Sequence, residues 1–157
     1  MKSRAEFLSL LRTRSAHELG DFYSVTACAP GDADGLWVGP NGRYEILAAP
    51  TSTATPGLLI RPREDAAKLP IIAALLSSNI LGAAIARPLT IQTLEAFPLP
   101  ARDALFEAQL EALWYYGSSN VSQDPASPQW GAILSSFDRI LAELYHLTLD
   151  ELMTFLL

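Results

Sequence analysis

The chain has 157 residues, with 11 Lys and Arg against 17 Asp and Glu and a formal net charge of −6. Half of the residues are hydrophobic and 18% are charged, which excludes a disordered or fibrous chain and suits one domain, or one domain with a helical tail. A pI near 4.8 excludes a protein that coats nucleic acid by bulk charge.

Ser3-Arg4-Ala5-Glu6 is a capping-box pattern followed by Phe7, Leu8, Leu10 and Leu11, so a first helix is expected from about Arg4 to Arg14. The lone Cys28 allows no internal disulfide, and the start MKSRAEF lacks the apolar run of a signal peptide; a cytoplasmic chain is expected. Phe22 to Ala29 reads as a strand and Pro30 to Gly35 as a turn cluster. Leu36 to Val38 and Arg43 to Leu47, around Gly39-Pro40-Asn41-Gly42, read as a hairpin. Gly57 to Pro62 is a further strand. From Leu69 to Ala86 the chain runs 18 residues without a charge, but Ser77, Ser78 and Asn79 interrupt it. A core helix over Ile71 to Ala86, with Pro70 in its first turn, is expected there instead of a membrane span.

Ala86 to Pro100 is punctuated by prolines and reads mostly as a connector, followed by a helix over Arg102 to Tyr116. Ser118 to Gln129 has linker composition. Ile133, Phe137, Ile140, Leu141 and Leu144 then mark an amphipathic helix, and Thr148-x-x-Glu151 opens a short last one. The order is that of an α+β fold: an N-terminal helix, a small, mostly antiparallel strand-rich region, a packed helix and a C-terminal helical tail. The expected division is a strand-rich, target-recognition-like domain over residues 1–100 and a helical tail over 101–157, with the tail as part of the same domain left open.

No phosphate-binding glycine loop, zinc ligand pattern or nucleophile elbow is present. Asp32-Ala33-Asp34-Gly35 starts like a calcium loop, but Leu36 and Arg43 stand at required ligand positions. Glu107 and Glu111 share a helix face without a His or Lys partner, and fit a solvated face better than acid–base chemistry. No catalytic residue, metal site or cofactor is therefore expected. Trp114, Tyr115 and Tyr116 end a helix near acids, a place for packing in the core or against a partner.

Nine of the 11 basic residues are Arg, the side chain suited to bidentate contact with guanine edges and phosphate. Arg43, Arg61 and Arg63 on the strands, with Arg12, Arg14 and Lys68, are the candidates for an anion-binding surface. Spacing alone leaves ordinary surface ion pairing equally open.

Three segments resemble a known family. Leu69 to Leu81 (LPIIAALLSSNIL), Leu89 to Pro100 (LTIQTLEAFPLP) and Phe137 to Leu157 (FDRILAELYHLTLDELMTFLL) resemble, in order and spacing, the TaqI-like C-terminal specificity domain of adenine DNA methyltransferases and single-chain restriction–modification enzymes. Ser77 stands where that family has Asn, and His146 where it has Gly. The methyltransferase signature (Asn/Asp)-Pro-Pro-(Tyr/Phe) is absent. The resemblance implies a non-catalytic DNA target-recognition subunit that reads double-stranded DNA for a separate methyltransferase or nuclease chain. Trp114, Tyr115, Tyr116 and Tyr145 would then face that partner. The alternative is an interaction or regulatory subunit of a modification or phage-defence complex that never touches DNA. Residues 1–100 carry nine basic and nine acidic residues, so the whole excess of −6 belongs to the tail.

Overall fold

The structure, a computed structural model, describes residues 3–28, 35–39, 44–47, 57–64, 68–86, 89–120, 123 and 126–156. In chain order the elements are α1 (Arg4–Thr13), β1 (His17–Glu18), α2 (Leu19–Phe22), β2 (Tyr23–Ala27), β3 (Gly35–Val38), β4 (Tyr44–Leu47) and β5 (Leu58–Pro62). There follow α3 (Leu69–Ser77), α4 (Asn79–Ala84), α5 (Ile91–Glu95), β6 (Pro98–Leu99), α6 (Ala104–Asn120), α7 (Pro128–Leu144) and α8 (Leu149–Leu156). This is an α+β fold with helical N- and C-terminal parts and small antiparallel sheet structure between them.

The chain forms two compact units, and they do not meet at the boundary expected near residue 100. Residues 1–17, 70–87 and 98–157 make unit one, and residues 18–69 and 88–97 make unit two. The N-terminal helix and the apolar middle segment therefore belong with the tail, because their buried faces need one another.

Unit one is helical. Its core holds Phe7, Leu11, Leu75, Leu76, Leu81, Trp114, Phe137 and Tyr145, each nearly or fully buried. The Ser3 hydroxyl caps α1 by accepting from the Glu6 N–H, as its sequence pattern indicates. The apolar middle segment is two helices where one was expected. Ser78 is extended (φ −68°, ψ 155°), and its buried hydroxyl accepts from the Leu81 N–H while donating to the Leu75 carbonyl at 2.6 Å. One serine thus closes α3 and opens α4. Among the described residues no helix is long and apolar enough to cross a membrane.

Helix α6 starts where Asp103 Oδ1 accepts from the Leu105 and Phe106 N–H groups, and it runs to Asn120, into the stretch read as linker. Gly117 lets α7 approach closely: a Cβ there would lie 2.9 Å from Ile133 Cδ1 and 3.1 Å from Trp130 Cζ3. Trp114, Trp130 and Phe137 meet edge to face across that contact, with ring centroids 6.3 and 6.4 Å apart. Helix α7 ends in a Schellman turn, with the His146 N–H donating to Glu143 O and the Leu147 N–H to Ala142 O. His146 there takes φ +55°, a left-handed conformation usually left to glycine. Thr148 and Glu151 form the expected capping box of α8. Phe155 of that helix stacks on Phe7 at 4.5 Å.

Unit two is built on a four-stranded antiparallel sheet in the order β2-β5-β3-β4. The expected hairpin is β3–β4, with Val38 opposite Tyr44; its turn, like the turn cluster 30–34, lies outside the described residues. Val25, Ile60 and Leu36 are register partners and point to one buried face. Leu94 of α5 is also buried, and α5 packs on β2; Thr90 caps α5 inside the segment read as connector. Gly57 precedes β5 with φ +142°, and a Cβ there would lie 2.4 Å from the Val38 carbonyl oxygen, so only glycine fits.

Candidate functional site

The residues expected to bind an anion fall in both units. Arg12 and Arg14 belong to unit one, Arg61, Arg63 and Lys68 to unit two, and Arg43 lies outside the described residues.

In unit two, antiparallel pairing sets the face. Ser24 is opposite Arg61, and Thr26 and Trp37 are both opposite Leu59, so these five side chains share one side of the sheet. Leu59 is fully buried, against the open flank of Gly35, and Trp37 Nε1 is buried with no hydrogen-bond partner among the described residues. The accessible part of this side is therefore at β2 and the neighbouring end of β5, where Thr26 is exposed and Ser24 and Arg61 are half-buried.

Arg63 follows directly after β5. Its backbone N–H donates to Phe22 O at 2.7 Å, and its Nε donates to Gly20 O at 2.9 Å and Tyr23 O at 3.2 Å. Because Nε is bonded to the α2–β2 corner, the guanidinium is oriented before any ligand arrives. Its two η nitrogens make no hydrogen bond among the described residues, and the side chain is exposed. A fork held at its base in this way suits a carboxylate, a phosphate or a guanine edge. Lys68 is exposed, and its carbonyl accepts from the Tyr23 hydroxyl at 2.7 Å.

Arg14 is committed inside unit one. It donates to the His146 carbonyl and pairs with Glu151 at 3.1 Å, which removes it from the anion-binding set. Arg12 is exposed in the last turn of α1, where a cation also complements the helix dipole.

Two of the four aromatic residues assigned to a partner interface are in the core. Trp114 is 2% exposed and Tyr145 fully buried, whereas Tyr115 and Tyr116 are 53% and 59% exposed. The Tyr145 hydroxyl donates to Pro98 O at 2.6 Å, and burial pushes its pKa well above the ordinary tyrosine value. Glu107 of the Glu107–Glu111 pair is nearly buried and not on a solvated face: it takes Arg102 at 2.7 Å and the Asp103 N–H at 2.9 Å, fastening the start of α6. Among the described residues no group of three or more His, Cys, Asp or Glu side chains could hold a metal.

One functional-scale contact was not visible in the sequence. Asp138, at the start of the third resembling segment, accepts from the Asn79 N–H at 2.9 Å, the Asn79 Nδ2 at 2.8 Å and the Ile80 N–H at 3.3 Å. Burial raises its pKa, and those hydrogen bonds act in the opposite direction. Asp138 thus ties Phe137–Leu157 to the Leu69–Leu81 segment, while Tyr145 ties it to Pro98 in the second. Within unit one the third segment is thus bonded to the first and to the closing residues, 98–100, of the second, whose earlier part belongs to unit two. No protein-family model and no curated protein matches this sequence.

Proposed function

We propose that the chain is a non-catalytic target-recognition subunit that reads double-stranded DNA on behalf of a separate methyltransferase or nuclease chain. The observation that carries this reading is the mutual bonding of the three resembling segments through Asp138 and Tyr145. The Tyr145 bond to Pro98 is buried, and the Asp138 bonds to Asn79 and Ile80 lie nearer the surface. The pre-oriented Arg63 fork, with Arg61 and the hydroxyls of Ser24 and Thr26 on the sheet, supports a surface that reads base edges and phosphates. Unit one, with the acidic tail, would sit away from the phosphates.

Selection from a random duplex library by the full chain at low salt, followed by sequencing, tests this. The expected result is a short enriched site whose binding weakens steeply with salt, and by about tenfold or more in Arg63→Ala or Arg61→Ala. No enriched site with the fold intact, or a site indifferent to both substitutions, overturns it.

A second reading has its own support. Leu105, Tyr115, Tyr116, Leu149 and Met153 are large, exposed apolar residues on α6 and α8, as an interaction subunit would present. That reading expects no enriched duplex and a complex with a catalytic chain that survives nuclease.

A further inference from the structure

Every other helix buries at least one apolar side chain; α8 buries none, and its Leu149 and Met153 are 71% and 53% exposed. Eight residues are too few to hold a helix in water on their own, so α8 exists through what it touches. Those ties are few. Phe155 stacks on Phe7 of α1 at 4.5 Å, Arg14 donates through both η nitrogens to the Glu151 carboxylate at 3.1 and 3.3 Å, and the helix rests on α4. The ion pair is still reached by solvent and contributes little by itself. Toward α7 the helix borders an open trough of about 760 Å³.

The connection to α7 has the form of a hinge. Tyr145, on one side, is fully buried and bonded to Pro98 O. Thr148, on the other, already caps α8 by accepting from the Glu151 N–H. Between them stand only His146, exposed and left-handed at φ +55°, and Leu147, half-buried. The His146 and Leu147 N–H groups are bonded back to α7, so the chain can turn after them without loosening that helix. What α8 covers is equally defined. Phe7 is fully buried beneath Phe155, and the Arg14 fork is filled by Glu151.

We propose that α8 is a hinged cover: it leaves unit one as a single element about His146–Leu147 while α1, α4 and α7 stay folded, with Phe155 and Glu151 as its two latches. The open form presents the Phe7 ring and, two turns along α1, an Arg14 fork released from Glu151, a surface that the closed form hides. This goes beyond the DNA reading and does not depend on it.

Residue-resolved amide exchange in the full chain tests it. The amides at 152–156 should exchange together, about a hundredfold faster than those at 137–144 of α7, and with a shallow urea dependence where that of α7 is steep. Phe155→Ala should speed all five by about tenfold and Arg14→Ala by about threefold, with the urea dependence of α7 still steep. Protection that falls off residue by residue toward 156, with each variant felt only by its nearest amides, is fraying and overturns the proposal. One shared rate and urea dependence for α7 and α8 makes α8 part of the core and overturns it too. Spin labels at Ser9→Cys and Met153→Cys, with Cys28→Ser, should report a second, longer distance whose share grows in Phe155→Ala. A single distance, unchanged by that substitution, overturns the release of the helix.

Discussion

Unit one and unit two differ in how much of their polar inventory goes into closing the fold. In unit one, side chains reach far along the sequence to close helix ends and join buried segments: Asp138 to Asn79, Tyr145 to Pro98, Arg14 to Glu151. In unit two the sheet's own ladders satisfy the backbone, and Arg63, Thr26 and Ser24 remain near the surface. Cross-chain polar contacts make unit one a fixed frame. Unit two has long-range side-chain ties as well, from Arg63 Nε to Gly20 and Tyr23 and from the Tyr23 hydroxyl to Lys68, but leaves the η nitrogens of Arg63 unbonded among the described residues.

The sharpest way to break that contrast is at Tyr145. Removing a fully buried ring and its hydrogen bond in Tyr145→Ala should cost about 3–5 kcal/mol in urea denaturation, whereas Tyr145→Phe, which only leaves Pro98 O unpaired, should cost about 1–2 kcal/mol. If the alanine variant loses less than the phenylalanine range, the hydroxyl and ring do not lock unit one. In unit two the comparable point is backbone. Gly57→Ala places a Cβ against Val38 O in a left-handed conformation and should cost about 1–3 kcal/mol, with faster amide exchange in β3 and β5. An unchanged exchange pattern would show that the sheet does not rest on that position.

Asp138→Ala comes next, at about 1–2 kcal/mol, because three N–H donors at the start of α4 lose their acceptor. Exchange at Ile80 should rise first. Its raised pKa also sets a sign: the stabilisation attached to the Asp138 proton is complete below the unfolded value near ~3.9 and is lost as pH rises through the higher folded value. Glu151 has the opposite sign. The Thr148 N–H, then the Thr148 hydroxyl and Arg14, hold its pKa low, so its contribution is present above the unfolded value near ~4.3 and lost as pH falls through the folded value. Glu151→Gln should therefore flatten the acid limb of the stability curve, with a loss of only about 0.5 kcal/mol at neutral pH for a half-buried pair still reached by solvent. A steeper acid limb in that variant would contradict the assignment.

What the sequence disclosed follows the same division. Ser3, Thr148 and the β3–β4 hairpin were legible because their signals lie within a few residues. Ser78 was misread as helix interior, since a serine that caps one helix while closing another looks, in sequence, like a polar interruption. Helix α5 was hidden by neighbouring prolines, although Thr90 and Thr93 form its cap. Asp138 and Tyr145 could not be read at all, because their partners stand 59 and 47 residues away. Arg14 looked like any exposed cation until its pairing with Glu151 appeared. Arg63 was legible as a candidate, but not the bonding of its Nε to Gly20 and Tyr23.

The interleaving of the two units bears on how the chain can be cut and how it folds. Unit one is assembled from three stretches, with α1 packed against α4 and β6. Dividing the gene at residue 100 would leave α6–α8 without α1, α3 and α4, so the core of unit one would be complete in neither product, while unit two would lie whole in the first. Two fragments expressed together could still reassemble, since the interrupted contacts are noncovalent. During synthesis α1 must wait for residues more than 80 positions later, so the sheet of unit two has the opportunity to form first. The late step in folding is then the assembly of the helical unit from its three stretches.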